Sequence, residues 1–103
     1  MELLSQILEN AVKARVDSVH FEWEHEGLEI MFRTGNTGVG SLLNDFPKAS
    51  ILVQTIIDQA GLENKERGKF KITLKGKEYT IQARQYNSFD EWCYELKIVK
   101  PKK

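Results

Sequence analysis

The segment DSVHFEWEHEGLEIMFR, residues 17–33, decides the fold because two alternating patterns meet in it at a short turn. Apolar and polar side chains alternate over residues 17–23, which is the period of a strand with one buried face. Residues 24–27 end in a glycine, which suits a hairpin turn. The alternation then resumes over residues 28–33. The segment therefore predicts two antiparallel strands whose apolar side carries Val19, Phe21, Trp23, Leu28, Ile30 and Phe32.

Two amphipathic helices are predicted on either side of this hairpin. Residues 2–15 repeat apolar side chains at helical spacing, and a second stripe follows Pro47 as far as Ala60. Pro47 suits the first turn of a helix, where its missing N–H would have no partner. Gly61 suits the residue that ends one. Each helix has one apolar stripe, so each is expected to cover one face of a sheet.

The remaining segments predict further strands. Residues 34–41 are rich in glycine and predict a loop, with a short edge strand near 39–42. Alternation over residues 69–75, 79–84 and 92–98 predicts three more strands. The order αββ(β)αβββ predicts an α+β, two-layer sandwich. It has a mostly antiparallel sheet of about five to six strands and both helices on one face. We expect one domain, residues 1–99, and a basic tail, residues 100–103.

Length and composition narrow the class of protein. The chain has 103 residues, of which 41% are hydrophobic, as in a globular domain. No apolar run approaches the ~20 residues of a membrane span, and the amino terminus lacks the pattern of a signal peptide. Cys93 is the only cysteine, which excludes an internal disulfide and a Cys-rich zinc site. A cytoplasmic protein without membrane insertion is expected.

Charge is balanced overall but not along the chain. Residues 1–50 contain 4 Lys/Arg and 8 Asp/Glu, whereas residues 51–103 contain 11 and 7, and the whole chain has a net charge of zero. General nucleic-acid binders are usually strongly basic, so no nucleic-acid partner is expected. The asymmetry is suited to orienting a protein partner.

Three groups of residues have some features of a phosphate-binding loop, a metal site or a catalytic cysteine. Gly35 and Gly40 have the spacing of a phosphate-binding loop, but Ser41-Leu42 follow where Lys-Ser/Thr is required. His20, with glutamates nearby, has the residue types of a metal site, yet nothing elsewhere completes a ligand set. Cys93 has no activating base in its sequence neighbourhood. The sequence therefore predicts a non-enzymatic protein with no catalytic, cofactor-binding or metal-binding residues.

The polar side of the predicted sheet is the candidate binding surface. It gathers six basic or titratable side chains among three glutamates: His20, Arg33, Lys69, Lys71, Arg84 and Lys97, with Glu22, Glu29 and Glu95. One interpretation is a solvated face on which opposite charges pair across strands. The other is an electrostatic docking surface, for which we select Arg33, Arg84, His20, Lys69 and Lys71 as partner-binding residues.

Several segments, in order, resemble the amino-terminal domain of type II secretion and type IV pilus assembly ATPases. LSQILENAVKARVDSVHFEW, residues 4–23, resembles a helix followed by that family's Ala-Ser-Asp-Ile-His-Ile-Glu, with His20 and Glu22 at the matching positions. LEIMFRTGN, residues 28–36, resembles its Val-Arg-x-Arg-x-Asp-Gly strand, in which Arg33 matches the second arginine.

The second half continues the resemblance. IIDQAGLENKERG, residues 56–68, is similar to the family's Lys-x-Met-Ala-Gly-Leu-Asp-Ile-x-Glu-Arg. Arg84, Glu91 and Lys97 lie roughly where the family has Leu-Arg-Val, Gly-Glu and Leu-Arg. Met31 and Gly35 replace an arginine and the aspartate of the pattern, and the segment that follows Glu-Arg in the family is missing here.

The resemblance implies a PAS-like α/β sandwich without the RecA-like motor core that follows it in the family. It implies an interaction or regulatory domain, with a secretion or pilus component as one candidate partner and self-association as another mode. Two alternatives remain open: a PAS-like module that senses a small ligand or nucleotide, and an accessory piece of a secretion ATPase that acts in trans. No cofactor is expected for the leading hypothesis.

Overall fold

The computed structural model describes residues 2–100, which form two helices and six strands. In chain order these are α1 (Glu2–Lys13), β1 (Ser18–Glu24), β2 (Gly27–Thr34), β3 (Thr37–Leu43), α2 (Phe46–Ala60), β4 (Arg67–Leu74), β5 (Lys77–Ser88) and β6 (Glu91–Val99). Of the predicted basic tail only Lys100 is described, and residues 101–103 lie outside the described part. Neither helix within residues 2–100 has the length and apolar character needed to cross a bilayer.

The six strands form one open antiparallel sheet in the order β3-β2-β1-β6-β5-β4. It consists of two three-stranded meanders, β1–β3 and β4–β6, which are joined where β1 pairs with β6. Helix α2 carries the chain from the β3 edge to the β4 edge. The α+β class, the element order and the antiparallel sheet predicted from the sequence are confirmed.

Both helices pack on the same face of the sheet. The core combines Leu4 and Leu8 of α1 and Leu52 and Ile56 of α2 with inward-facing strand residues, all almost completely buried. Those strand residues include Val19, Phe21, Leu28, Ile72, Ile81, Ala83, Tyr94 and Leu96. They lie on the sides that the alternation predicts to be apolar. The opposite face of the sheet, hereafter the polar face, has no helix packed on it among the described elements.

Helix α1 ends two residues before the predicted boundary. Arg15 adopts a positive φ of 58°, and the Val16 N–H donates to the Ala11 carbonyl at 3.1 Å. This is a Schellman-type ending, which usually takes glycine at the left-handed position. Helix α2 begins with a cap in which the Lys48 N–H donates to Asp45 Oδ1 at 3.0 Å, and it ends at Gly61 as predicted.

The carboxyl end of α2 rests directly on β4 at Gly68. A Cβ atom at this position would lie 1.9 Å from the Ala60 carbonyl oxygen, so no larger residue fits without moving the backbone. The close approach lets Leu62, which follows α2, become fully buried. Gly68 therefore sets the separation between helix and sheet at the start of the second meander.

Three local features differ from the sequence-based expectation. The glycine-rich segment is mostly strand β3, preceded by a two-residue turn at Gly35 and Asn36. Strand β5 continues to Ser88, beyond the predicted end at Arg84, and only a turn at Phe89 and Asp90 separates it from β6. Trp92 lies on the helix side, yet it remains 50% exposed because it is near the start of β6, away from the core cluster.

The burial pattern predicts which substitutions destabilise the domain. Ile81→Ala should lower the free energy of unfolding by about 2–5 kcal/mol, because Ile81 is fully buried against the helices. Gln82→Ala, the next residue on the exposed polar face, should change it by no more than ~0.5 kcal/mol. Urea denaturation measures both. Equal losses would mean that the polar face is covered as well.

Candidate functional site

Two rows of polar-face residues run across the central strands. In the first, Met31, His20, Glu95, Arg84 and Arg67 lie opposite one another on β2, β1, β6, β5 and β4. Their order follows from the strand register alone. The row crosses the joint between the two meanders at the His20–Glu95 pair. It therefore brings together residues that are far apart in the sequence.

A neighbouring row contains three further cations of the polar face. Arg33, Ser18, Lys97, Gln82 and Lys69 lie opposite one another on the same five strands. The rows are two residues apart along each strand, so their side chains are next neighbours on the same face. Together they form a continuous patch of arginine and lysine side chains around one glutamate.

Glu95 contacts both of its neighbours in the first row, His20 and Arg84. One carboxylate oxygen lies 3.0 Å from His20 Nε2, and the other lies 3.1 Å from an Arg84 terminal nitrogen. His20 and Glu95 are largely buried, whereas Arg84 is half-buried. Charge-assisted contacts of this geometry fix side-chain orientation as well as adding stability. Two of the predicted partner-binding residues, His20 and Arg84, are thus held by one carboxylate.

His20 is neutral at pH 7 in this setting. Burial lowers the pKa of His20 below its ordinary value of 6.5, and the nearby charges of Arg33 and Arg84 lower it further, while Glu95 opposes them. A neutral imidazole that contacts a carboxylate through Nε2 donates its single proton there. His20 therefore positions Glu95 and does not add a positive charge to the patch.

Arg84 keeps unused hydrogen-bonding capacity. Its guanidinium lies over the Tyr86 ring, 4.7 Å from the centroid, and pairs with Glu95 through a terminal nitrogen. Among the described residues, its Nε has no hydrogen-bond partner although the atom itself is buried. Stacking on an aromatic ring restrains the guanidinium plane. The orientation of Arg84 is thus restrained, and its guanidinium keeps N–H donors for a further acceptor.

An open groove of about 730 Å³ lies beside Arg84 on the polar face. We call it the basic groove, and its lining side chains include Arg67, Lys69, Gln82, Arg84, Glu95 and Lys97. Four of these are permanently positive and only Glu95 is negative, and that carboxylate is already engaged by His20 and Arg84. The groove therefore presents an excess of positive charge and free N–H donors to solvent.

The other predicted residues lie at different places on the polar face. Lys69 lines the basic groove, whereas Lys71 lies farther along β4 and approaches Glu78 at 3.9 Å on the exposed surface. Such exposed pairs contribute little. Arg33 is exposed on β2 in the same row as Lys97, near enough to His20 to affect its pKa. Arg33 thus borders the patch without lining the groove.

Three residues that line the basic groove are absent from the partner-binding residues selected from the sequence: Arg67, Gln82 and Lys97. The sequence-based strand begins at Lys69 and therefore leaves out Arg67. The alternation in fact continues back through the glycine, so Arg67, Lys69 and Lys71 share one face. Reading the period through Gly68 would have found Arg67. The groove itself depends on which strands are neighbours, and that is not visible in the alternation.

Cys93 is buried on the polar face beside Glu22. Its Sγ donates to Glu22 Oε1 at 3.5 Å, and burial together with the Glu22 charge raises the thiol pKa to about 11. The neutral thiol is therefore the form present at neutral pH. Within residues 2–100, no three His, Cys, Asp or Glu side chains are grouped so that they could hold a metal ion.

Comparison of the sequence with protein-family models and with curated proteins finds no match. The resemblance to the secretion ATPase domain therefore stays a prediction that depends on the motifs given above. The structural case for a site depends on the basic groove and on the Glu95 contacts.

The lowered pKa of His20 predicts a pH dependence of stability. Below its ordinary pKa of 6.5 the unfolded chain binds a proton that the folded chain resists, so stability should fall as the pH falls through this range. His20→Gln keeps a neutral donor toward Glu95 and should flatten the dependence between about pH 7 and pH 5. Urea titrations at each pH measure it.

His25→Gln serves as the control, because His25 is exposed in the β1–β2 turn. It should leave the wild-type dependence unchanged. A His20→Gln variant with the full wild-type dependence would contradict the assignment.

The buried thiol predicts low reactivity for Cys93. The native protein should react far more slowly with a disulfide reagent than the protein in guanidinium, with no inflection in rate below about pH 9. Glu22→Gln removes the charge that helps to raise the thiol pKa, so it should move the inflection to lower pH. An unchanged pH profile in that variant would show that Glu22 does not act on the thiol.

Proposed function

We propose that this chain is a non-enzymatic interaction domain that docks an acidic segment of a protein partner in the basic groove. The observation that carries the proposal is the groove itself, where Arg67, Lys69, Arg84 and Lys97 surround one already engaged carboxylate. A regulatory role in a secretion or pilus assembly is the biological setting that the family resemblance implies.

Arg84 is the anchor in this proposal. Its guanidinium is restrained by Glu95 and by Tyr86, so little side-chain freedom remains to be lost when a partner binds. Arginine's planar arrangement of donors suits a carboxylate. The terminal N–H groups of the half-exposed guanidinium, beyond the one that contacts Glu95, are the donors that a partner's carboxylate can reach.

The exposed cations have a different role. Lys69, Arg67 and Lys97 are solvated at the margins of the groove. Charges at the rim of an interface mostly raise the rate of association, while held central pairs determine how long the complex lasts. Arg33 borders the patch and extends its positive field toward β2. The acidic partner is therefore steered by the rim and retained at Arg84.

The ligand-sensing alternative has less support. The layer between helices and sheet is filled by fully buried side chains such as Phe21, Leu8 and Ile56. A cleft of about 210 Å³ between α1 and the β4–β5 hairpin is below the usual range for small-molecule sites, about 300–1,000 Å³. A larger depression of about 850 Å³ near the carboxyl end of α2, whose lining includes Leu62, Gln85 and Trp92, is an open surface and not an enclosed cavity. The open basic groove suits an extended segment better than an enclosed small molecule.

A labelled peptide of alternating Glu and Ser tests the proposal by fluorescence anisotropy. Arg33→Ala combined with Arg84→Ala should weaken binding more than Lys69→Ala combined with Lys71→Ala, because Arg84 is restrained and Lys71 is paired outside the groove. Wild-type binding should also weaken as salt is raised, since the contacts are ionic.

Lys13→Ala combined with Lys48→Ala is the matched control. This variant also removes two positive charges, but from exposed positions on the helices, away from the groove. Its affinity should remain close to that of the wild type. If the control loses as much as the arginine pair, only net charge matters and the groove is not a site. A Lys-Ser peptide that binds equally well would also exclude the proposal.

A further inference from the structure

The two edges of the sheet differ sharply in how they are protected. The β4 edge carries Arg67, Lys69 and Lys71 at alternate positions. Strand β3, on the other edge, reads Thr-Gly-Val-Gly-Ser-Leu-Leu with no charge and no proline, and nearly all of it is exposed. Within residues 2–100 no strand pairs with its outer side. Natural sheets usually protect such edges with charge, especially lysine, because an open edge accepts another strand.

The direction of the free backbone groups follows from the ladder. The Arg33 carbonyl accepts from the Asp17 N–H at 2.8 Å, so Arg33 directs its backbone groups toward β1 and away from its β3 partner, Gly38. Hydrogen-bonded and non-hydrogen-bonded pairs alternate along an antiparallel ladder. Gly38, Gly40 and Leu42 therefore direct their N–H and C=O groups outward, to the open edge.

Apolar side chains lie on both sides of this edge. Val39 is 71% exposed on the helix side, and Leu42 is 45% exposed on the polar face. Met31 lies over Gly38, where a Cβ would come within 2.8 Å of its sulfur, and it also approaches Gly40. The edge thus combines unused hydrogen-bonding groups with exposed apolar surface, which marks an interaction site.

The geometry points to a second copy of this chain as the occupant, with the two β3 strands paired antiparallel about a two-fold axis at Gly40. This register places Gly40 opposite Gly40 and Gly38 opposite Leu42 of the second copy, so every outward residue finds an outward partner. Each Leu42 then lies opposite Gly38 of the second copy, beside the Met31 side chain that covers that glycine. A two-fold contact of this kind closes after two chains.

The β2 side chains next to each edge are compatible with the same register. Glu29 lies opposite Leu42, and Arg33 lies opposite Gly38, in the β2–β3 ladder. In the dimer Arg33 of each copy shares a cross-strand row with Glu29 of the other, and the two Met31 side chains lie on either side of the axis. These opposite charges are three strand spacings apart, ~14 Å, and therefore attract one another only weakly. The register is favoured by its apolar centre and by the absence of like charges on the two β3 strands. This surface is separate from the basic groove, so the dimer does not depend on the proposed function.

Sedimentation velocity over a concentration series tests the dimer with the full chain. The wild type should shift from 11.9 kDa toward twice that mass as concentration rises. Gly40→Lys should stay at the monomer mass, because it opposes two lysines at the axis. A Cβ at Gly40 makes only ordinary contacts, the nearest at 3.6 Å, so the domain should still fold. Thr73→Lys, which adds the same charge at the exposed β4 edge, should leave the dimer intact.

Amide hydrogen exchange then locates the interface. The N–H groups of Gly38, Gly40 and Leu42 should be protected in the wild type and lose that protection on dilution. Gly38 and Leu42 should lose it in Gly40→Lys. If circular dichroism shows that Gly40→Lys is unfolded, Leu42→Lys should give the same monomer, because Leu42 is partly exposed and a lysine there would lie near Met31 and Arg33 of the second copy. A wild type that is monomeric throughout, a dimer indifferent to both lysine variants, or growth beyond two chains would overturn the inference.

Discussion

The pairing of β1 with β6 is the contact on which the structure depends, because it is the only strand pairing within residues 2–100 that joins the two meanders. On the helix side it places Val19 beside Leu96 and Phe21 beside Tyr94 in the centre of the core. On the polar face the same pairing places His20 beside Glu95. Core and candidate site are thus two sides of one ladder, so a change in its register would disrupt both at once.

The β1–β6 pairing also places the acidic and basic halves of the chain side by side in one sheet. The acidic first half of the sequence supplies β1 to β3, and the basic second half supplies β4 to β6. Because the meanders lie side by side, Glu22 and Glu29 are on one side of the polar face and the basic groove is on the other. Glu95 on β6 lies near the boundary and receives groups from both sides, His20 from β1 and Arg84 from β5.

Much of the fold could be predicted from the sequence, because alternation identifies the face on which each strand residue lies. It does not identify which strands are neighbours, so the His20–Glu95–Arg84 contacts could not be foreseen even though all three residues were placed on the polar face. Cys93 shows the same limit. The alternation places Cys93 on the polar face, yet it is buried there because Glu22 lies beside it on β1 and Tyr86 lies beside it on β5. Trp92 is the opposite case: the alternation places it on the apolar, helix side, yet it is half-exposed because it lies near a strand end, beyond the core.

The β1–β6 joint has a consequence for synthesis on the ribosome. Strand β1 is made early, but its second neighbour is made roughly 70 residues later, a delay on the order of several seconds at ordinary translation rates. During that interval the first meander has β1 as a second open edge, and the apolar side chains of Val19 and Phe21 lack their partners from β6. The contact that closes the core is long-range in sequence, and such contacts slow folding. The nascent chain therefore passes through a stage in which a hydrophobic strand edge is accessible to chaperones and to other nascent chains.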